Sequence, residues 1–168
     1  MKTIGKFFLL IGIAMISFTA CDKDDDDNPD NANNNNQNPA GGTMTCKVDG
    51  TDWSADLSVV ATKDDGNEIV SAAGTSANSH QCFFSINNFT GAGDYTLGGS
   101  LTNPNLGRFS QGTGVNDQYT TMLGTGSGMV SITEVSDTGF KGTFHFTAQN
   151  NAQEEISITE GAFEATFQ

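Results

Sequence analysis

From Thr43 to the end of the chain, apolar residues recur at every second position and not at the 3.6-residue spacing of a helix. Met44, Cys46 and Val48 alternate with Thr45 and Lys47. Asp49-Gly50 then marks a tight turn, and Trp53, Ala55, Leu57, Val59 and Ala61 resume the alternation. This reads as one hairpin with a buried face that carries Cys46 and Trp53. Lys63-Asp64-Asp65-Gly66-Asn67 is the next turn, before a strand around Glu68 to Ala73. His80, Cys82, Phe84 and Ile86 share a face on the strand after that, and Gly91-Ala92-Gly93 leads into Tyr95-Thr96-Leu97. Residues 98–118 are rich in Gly, Asn and Ser and predict a long loop with a short strand near Phe109. A strand over Tyr119 to Leu123 and a turn over Gly124 to Gly128 follow.

The last third is the most regular. Val130 and Ile132 open a strand that Ser136-Asp137-Thr138-Gly139 closes, and Phe140, Gly142, Phe144, Phe146 and Ala148 line one face of the next. The final segment places Ile156 and Ile158 in one phase and Phe163, Ala165 and Phe167 in the other. The phase change at Glu160-Gly161 predicts a bulge, with a two-residue hairpin as the alternative. Eight to ten short strands with Gly-rich turns, no helical pattern and no fixed repeat predict an all-β fold. An antiparallel β-sandwich is expected, with a closed β-barrel as the alternative.

The first 42 residues have another character. Lys2 and Lys6 precede an apolar run from Phe7 to Phe18, with small residues before Cys21. That is the layout of a secretory signal over residues 1–20, and a run of about a dozen residues is short of the roughly 20 that span a bilayer. Phe18-Thr19-Ala20-Cys21 resembles a bacterial lipobox, with Phe where Leu is usual. The resemblance implies that Cys21 becomes the acylated N-terminus and holds the protein to a membrane, since several acyl chains on one residue anchor stably. Residues 21–42 are almost wholly Asp, Asn, Pro, Gly and Gln after the cysteine. They predict a disordered tether spanning roughly 25 Å, ahead of a single domain over 43–168. Lys23-Asp24-Asp25 resembles the surface-export signal of Bacteroidota lipoproteins, which implies the outer face of the outer membrane. A periplasm-facing anchor, with the acids serving only as a solvated spacer, is the alternative.

With 20 acidic against 7 basic residues and a net charge of −13, the chain repels polyanions, and nucleic-acid binding is excluded. Once Cys21 is set aside for lipid, Cys46 and Cys82 are the two remaining cysteines. Both have inward parity, so an exported chain offers either a disulfide or two buried thiols. Closing a loop of roughly 37 residues is worth about 4 kcal/mol in the chain-entropy picture.

No catalytic signature stands out, and a non-enzymatic protein is expected. Gly124-Thr125-Gly126-Ser127-Gly128 lacks the Lys and following helix of a phosphate loop and reads as a hairpin turn. His145 falls on a polar strand face, and His80 suits capping or packing. A Cys46/Cys82/His80 metal site lacks the paired close spacings of zinc sites. Asp64, Asp65, Asn67 and Glu68 offer calcium-type oxygens in one turn without EF-hand spacing, so calcium is the one cofactor with a candidate and hairpin formation is the competing role. Phe83, Phe89, Phe109 and Tyr119 are the candidate aromatics for stacking on sugar rings, though most Phe residues are needed in the core.

Cys46-Lys47-Val48-Asp49-Gly50-Thr51-Asp52-Trp53 resembles the opening hairpin of uncharacterised single-domain surface lipoproteins of Bacteroidota. Gly142-Thr143-Phe144-His145-Phe146-Thr147-Ala148 and Ile158-Thr159-Glu160-Gly161-Ala162-Phe163 resemble their closing strands. The resemblance implies fold and location only. The functional expectation is a membrane-anchored, cell-surface β-sandwich that binds a ligand or envelope partner. A glycan-binding module or polysaccharide hydrolase, and a structural component of the outer envelope, are the alternatives.

Overall fold

In the computed structural model, which describes residues 41–168, the two-residue period becomes eleven strands, with no α-helix among the described residues. They are β1 (Gly42–Val48), β2 (Thr51–Ser54), β3 (Ser58–Asp64), β4 (Ile69–Thr75), β5 (Gln81–Asn87), β6 (Gly93–Gly98), β7 (Leu106–Ser110), β8 (Gln118–Thr120), β9 (Ser127–Val135), β10 (Gly139–Gln149) and β11 (Glu155–Thr166). The signal segment, Cys21 and the tether through residue 40 lie outside the described residues.

Every strand-to-strand ladder is antiparallel. One layer runs β2-β1-β11-β10-β9-β6 and the other β3-β4-β5-β7-β8. The layers are tied at two places, each by a single residue pair. Gln149 of β10 meets Thr120 of β8, and Ala61 of β3 forms an isolated parallel bridge with Phe167. Because neither tie continues as a ladder, the result is a sandwich and the closed-barrel alternative falls.

The strands of one layer cross those of the other. Val59, Gly74 and Cys82 form one row across β3, β4 and β5. Gly41 approaches the Val59 carbonyl and Met44 packs on Gly74, while Cys46 comes beside Cys82. The chain entering β1 therefore steps over three strands in turn, which is the geometry of orthogonal sheet packing. A Cβ on Gly74 would lie 2.8 Å from the Ala55 Cβ and 2.9 Å from the Met44 sulfur, so glycine there lets the layers close.

The core fills the space between the layers with alternate residues of every long strand. Phe84 is at its centre, fully buried, with ring centroids 4.9 Å from Phe163, 5.8 Å from Phe144 and 6.1 Å from Phe140. Such tilted and edge-on pairs add to the area that each ring buries.

Four local expectations change. The second arm of the first hairpin does not run on to Ala61. The Ala55 N–H still bonds Met44 O of β1, whereas the Leu57 N–H bonds Thr75 O of β4. Within two residues the backbone changes layer, and Leu57, in phase with the core, is left 60% exposed at the corner. The strand expected over Tyr119 to Leu123 ends at Thr120, because Thr121 turns its hydroxyl into the core to accept from the Gly107 N–H at 3.0 Å. The turn expected at Gly124 to Gly128 is a 3₁₀ turn over Met122–Gly124, and Ser127 and Gly128 already belong to β9. Eleven strands replace eight to ten, partly because of these breaks.

The change of phase in the final segment is a bulge within one continuous strand. The register shifts against β10 between Phe144 and Phe146, and against β1 between Thr45 and Lys47. Glu160 takes the positive φ of 51°, while Gly161 makes room for Phe144, whose carbonyl oxygen would lie 2.4 Å from any Cβ there. In the expected long loop, β7 occupies the middle. The Asn103 side-chain amide donates to the Thr96 and Gly98 carbonyls at 3.0 and 2.8 Å, and Asn105 donates to Thr96 at 3.1 Å. These amides occupy carbonyls on the outer edge of β6, an edge that would otherwise offer itself to another strand.

Candidate functional site

The four aromatics nominated for stacking do not form a platform. Phe109, 1% exposed, and Tyr119, 8% exposed, are ladder partners inside the core. Phe89 is also buried, because Asn88 adopts φ 55°, breaks the alternation of β5 and returns the next side chain inward against Tyr95. Phe83 alone of the four is half-exposed, and the Arg108 guanidinium lies over its ring at 5.1 Å, while the same group donates to Gln81 Oε1 at 2.9 Å. A sugar ring needs an uncovered aromatic face, which none of the four supplies.

The acidic turn is likewise engaged in its own structure. Asp64 Oδ1 accepts from the Gly66 and Asn67 N–H groups at 3.0 and 3.1 Å, and Oδ2 accepts from the Asn67 amide at 2.7 Å. These bonds, the Asn67 side-chain bond foremost, hold the Asp64 carboxyl below its ordinary value. Asp65 pairs with Lys63 at 2.8 Å. Glu68 takes φ 53° and offers its carbonyl to the Phe89 N–H. Among the described residues no three His, Cys, Asp or Glu side chains converge on a metal position, either at the Asp64 turn or around Cys46, Cys82 and His80.

A different place gathers binding chemistry. Asp49 and Gly50 both have positive φ, 49° and 81°, between the paired residues Val48 and Thr51. That is the two-residue hairpin whose twist matches its strands, so Asp-Gly sets the register that places Trp53 opposite Cys46. The turn is fastened to β11, with Asp49 N–H donating to Ser157 O at 2.9 Å and Asp49 Oδ1 accepting from Ser157 N–H at 2.7 Å.

The half-buried Trp53 packs edge-on against Phe109 at 5.8 Å, and Phe109 in turn meets the His80 ring at 6.1 Å. This aromatic row floors a depression of about 410 Å³. Asp49 and Asp52 come to its wall from the first hairpin, Asn78 and His80 from the β4–β5 turn, and Gln111 from the chain leaving β7. The β4–β5 turn is held by hydrogen bonds: Ser76 N–H and Oγ both donate to His80 O, and Asp56 accepts from the Ala77 N–H at 2.6 Å. On the other side of Trp53 lies a second depression of about 350 Å³, bordered by Lys47, Asp52 and Glu160, where Lys47 pairs with Glu160 at 2.8 Å.

No Lys or Arg lines the larger depression. Its polar groups are carboxylates, amides, hydroxyls and an imidazole around aromatic edges, a set suited to neutral polyhydroxylated or cationic ligands and hostile to anions. The Trp53 indole N–H is buried and makes no hydrogen bond to any described residue.

The period-two pattern puts Trp53 in the core and does not disclose that it also borders a depression. Its being the single Trp of the chain was the available signal. Asn78 and Gln111 carried none, since turns are rich in such residues and only the fold brings these two together. His145 is exposed on the outer face of β10, as its parity requires.

No curated protein and no solved structure matches the chain. Residues 40–166 match the family described as Domain of unknown function (DUF6252), a span that covers β1 through β11. The chain belongs to the DUF6252 family.

Proposed function

We propose that this protein is a lipid-anchored envelope protein whose sandwich is a binding module for a neutral, polyhydroxylated ligand of the glycan class, taken in the depression beside Trp53. The observation that carries the binding half is the depression itself, floored by the row of Trp53, Phe109 and His80, edged by Asp52, Asn78 and Gln111, and lined by no Lys or Arg. Amide and carboxylate groups pair with hydroxyls in both directions, and aromatic edges suit the C–H faces of sugar rings. The anchoring half rests on the signal layout and on Phe18-Thr19-Ala20-Cys21. The tether joins at Gly42, and β1 carries the chain roughly 20 Å before it reaches the Asp49-Gly50 turn. The depression is thus remote from the point of attachment.

Because Trp53 is the sole tryptophan, its fluorescence reports the site directly. Titration of the full chain with a panel of oligosaccharides, followed by thermal unfolding, should give one sugar class that shifts the emission and raises the midpoint. The stabilisation should reach about 2.7 kcal/mol at a hundredfold excess over Kd. Asn78→Ala should weaken that response without lowering the ligand-free midpoint. A panel that moves neither observable would remove the glycan reading. The surface location is tested apart from it, by protease added to intact cells, which should degrade the domain; full protection would overturn that placement.

A further inference from the structure

Cys46 and Cys82 come from different layers, β1 and β5. Their ladder neighbours locate them independently of the thiols themselves. Trp53 is the partner of Cys46, Phe109 is the partner of Cys82, and the Trp53 and Phe109 rings are in edge contact. Both cysteines are buried, at 5% and 0% exposure, and stand in the structure as free thiols beside one another. Neither serves a metal among the described residues. The site described above hangs on this junction, because the hairpin that carries Asp49, Asp52 and Trp53 is the strand pair that Cys46 would fix to β5.

We propose that Cys46 and Cys82 are joined as a cross-layer disulfide in the exported protein, clamping the Trp53 hairpin over β5. The reaction is thiol–disulfide exchange. A thiolate of one cysteine attacks the disulfide of a protein or low-molecular-weight oxidant, and a mixed disulfide forms as one thiol leaves. The other cysteine then displaces the second thiol, so the two S–H groups give up two protons and two electrons and the oxidant departs as two thiols. Burial, chiefly, and the neighbouring Cys46 thiol push the Cys82 thiol well above its ordinary value, which leaves little thiolate in the closed sandwich. Exchange therefore takes place before the layers close, and closure then seals the bond from reductants.

The test uses two alkylating reagents of different mass. The full chain recovered from envelopes is unfolded without reductant and alkylated with the first, then reduced and alkylated with the second. Both Cys46 and Cys82 should carry the second label, and the undigested protein should be two hydrogens lighter than its dithiol form. First label on both, or a bond from either to Cys21, overturns the proposal. An acyl mass on the Cys21 peptide of the same digest reports export separately. Should Cys21 be unacylated, the chain is reduced, unfolded and refolded in a glutathione redox buffer, and the same labels decide in the same way. Strong reductant during unfolding should lower the wild-type midpoint by on the order of 10 °C, and should leave a Cys46→Ala, Cys82→Ala double variant unmoved. A wild-type midpoint indifferent to reductant in the unfolding step would also overturn it.

Discussion

Phe83 and Phe84 are adjacent on β5 and point to opposite sides of their layer, so truncating each in turn measures what alternation means energetically. Phe84 is fully buried and touches the rings of Phe140, Phe144 and Phe163. Phe84→Ala removes the transfer energy of a buried ring and leaves a cavity between layers that two strand ladders hold apart, so the site can collapse only partly. The expected loss is about 4 kcal/mol. With an unfolding entropy of about 2.1 cal/mol/K per residue over residues 41–168, the midpoint should fall by roughly 15 °C. Phe83 lies half-exposed under Arg108, and Phe83→Ala forfeits a surface cation–π contact and some covered area, about 1 kcal/mol. Urea unfolding of both variants, read by the emission of Trp53, gives the two values at constant slope. A loss below about 1.5 kcal/mol for Phe84→Ala, or equal losses for the pair, would refute the reasoning that places Phe84 at the centre of the core.

Two further outcomes follow from particular contacts. Gly161→Ala would put a Cβ 2.4 Å from the Phe144 carbonyl oxygen and 2.6 Å from its ring. Because backbone must shift, denaturant unfolding should show a loss of about 2–3 kcal/mol, and an unchanged midpoint would mean that the bulge is more pliant than the packing implies. The Asp64 carboxyl is held below its ordinary 3.8 by the Asn67 and Gly66 bonds. A depressed folded value contributes stability that is present above that ordinary pH and is lost as pH falls through the folded one. Asp64→Asn should therefore flatten the acid limb of a stability–pH profile below about pH 4, and a profile identical to wild type would remove Asp64 from the set of groups that set it.

How much of this was legible depended on whether a residue's role was local. The alternation from Phe140 to Ala148 requires one buried face in any sheet, so its apolar residues reached the core as read. Asp49-Gly50 specifies its turn through its own backbone preferences, and it formed where expected. The phase change at Glu160-Gly161 announced a bulge, because a strand with two buried phases must slip by one residue between them. Phe89 departs from the pattern because one positive φ at Asn88, invisible in the apolar alternation, reverses the side-chain direction. The corner at Ala55 to Leu57 was missed for a related reason: the alternation persists across it while the hydrogen-bonding partner changes from β1 to β4.

By itself, then, the sequence determined that residues 43–168 form antiparallel strands around a Phe-rich core, since period-two burial is a property of each strand alone. It also carried the pattern around Cys21 on which the proposed anchor rests. Only the tertiary structure decided which strands face one another across the sandwich. The crossing of β1 over β3, β4 and β5 brings Cys46 to Cys82 and Trp53 to Phe109. The same crossing sets Asp52 of β2 beside Asn78 and His80 of the β4–β5 turn and Gln111 after β7. No local preference encodes that meeting, because it depends on how two twisted sheets pack and not on any one segment's propensity.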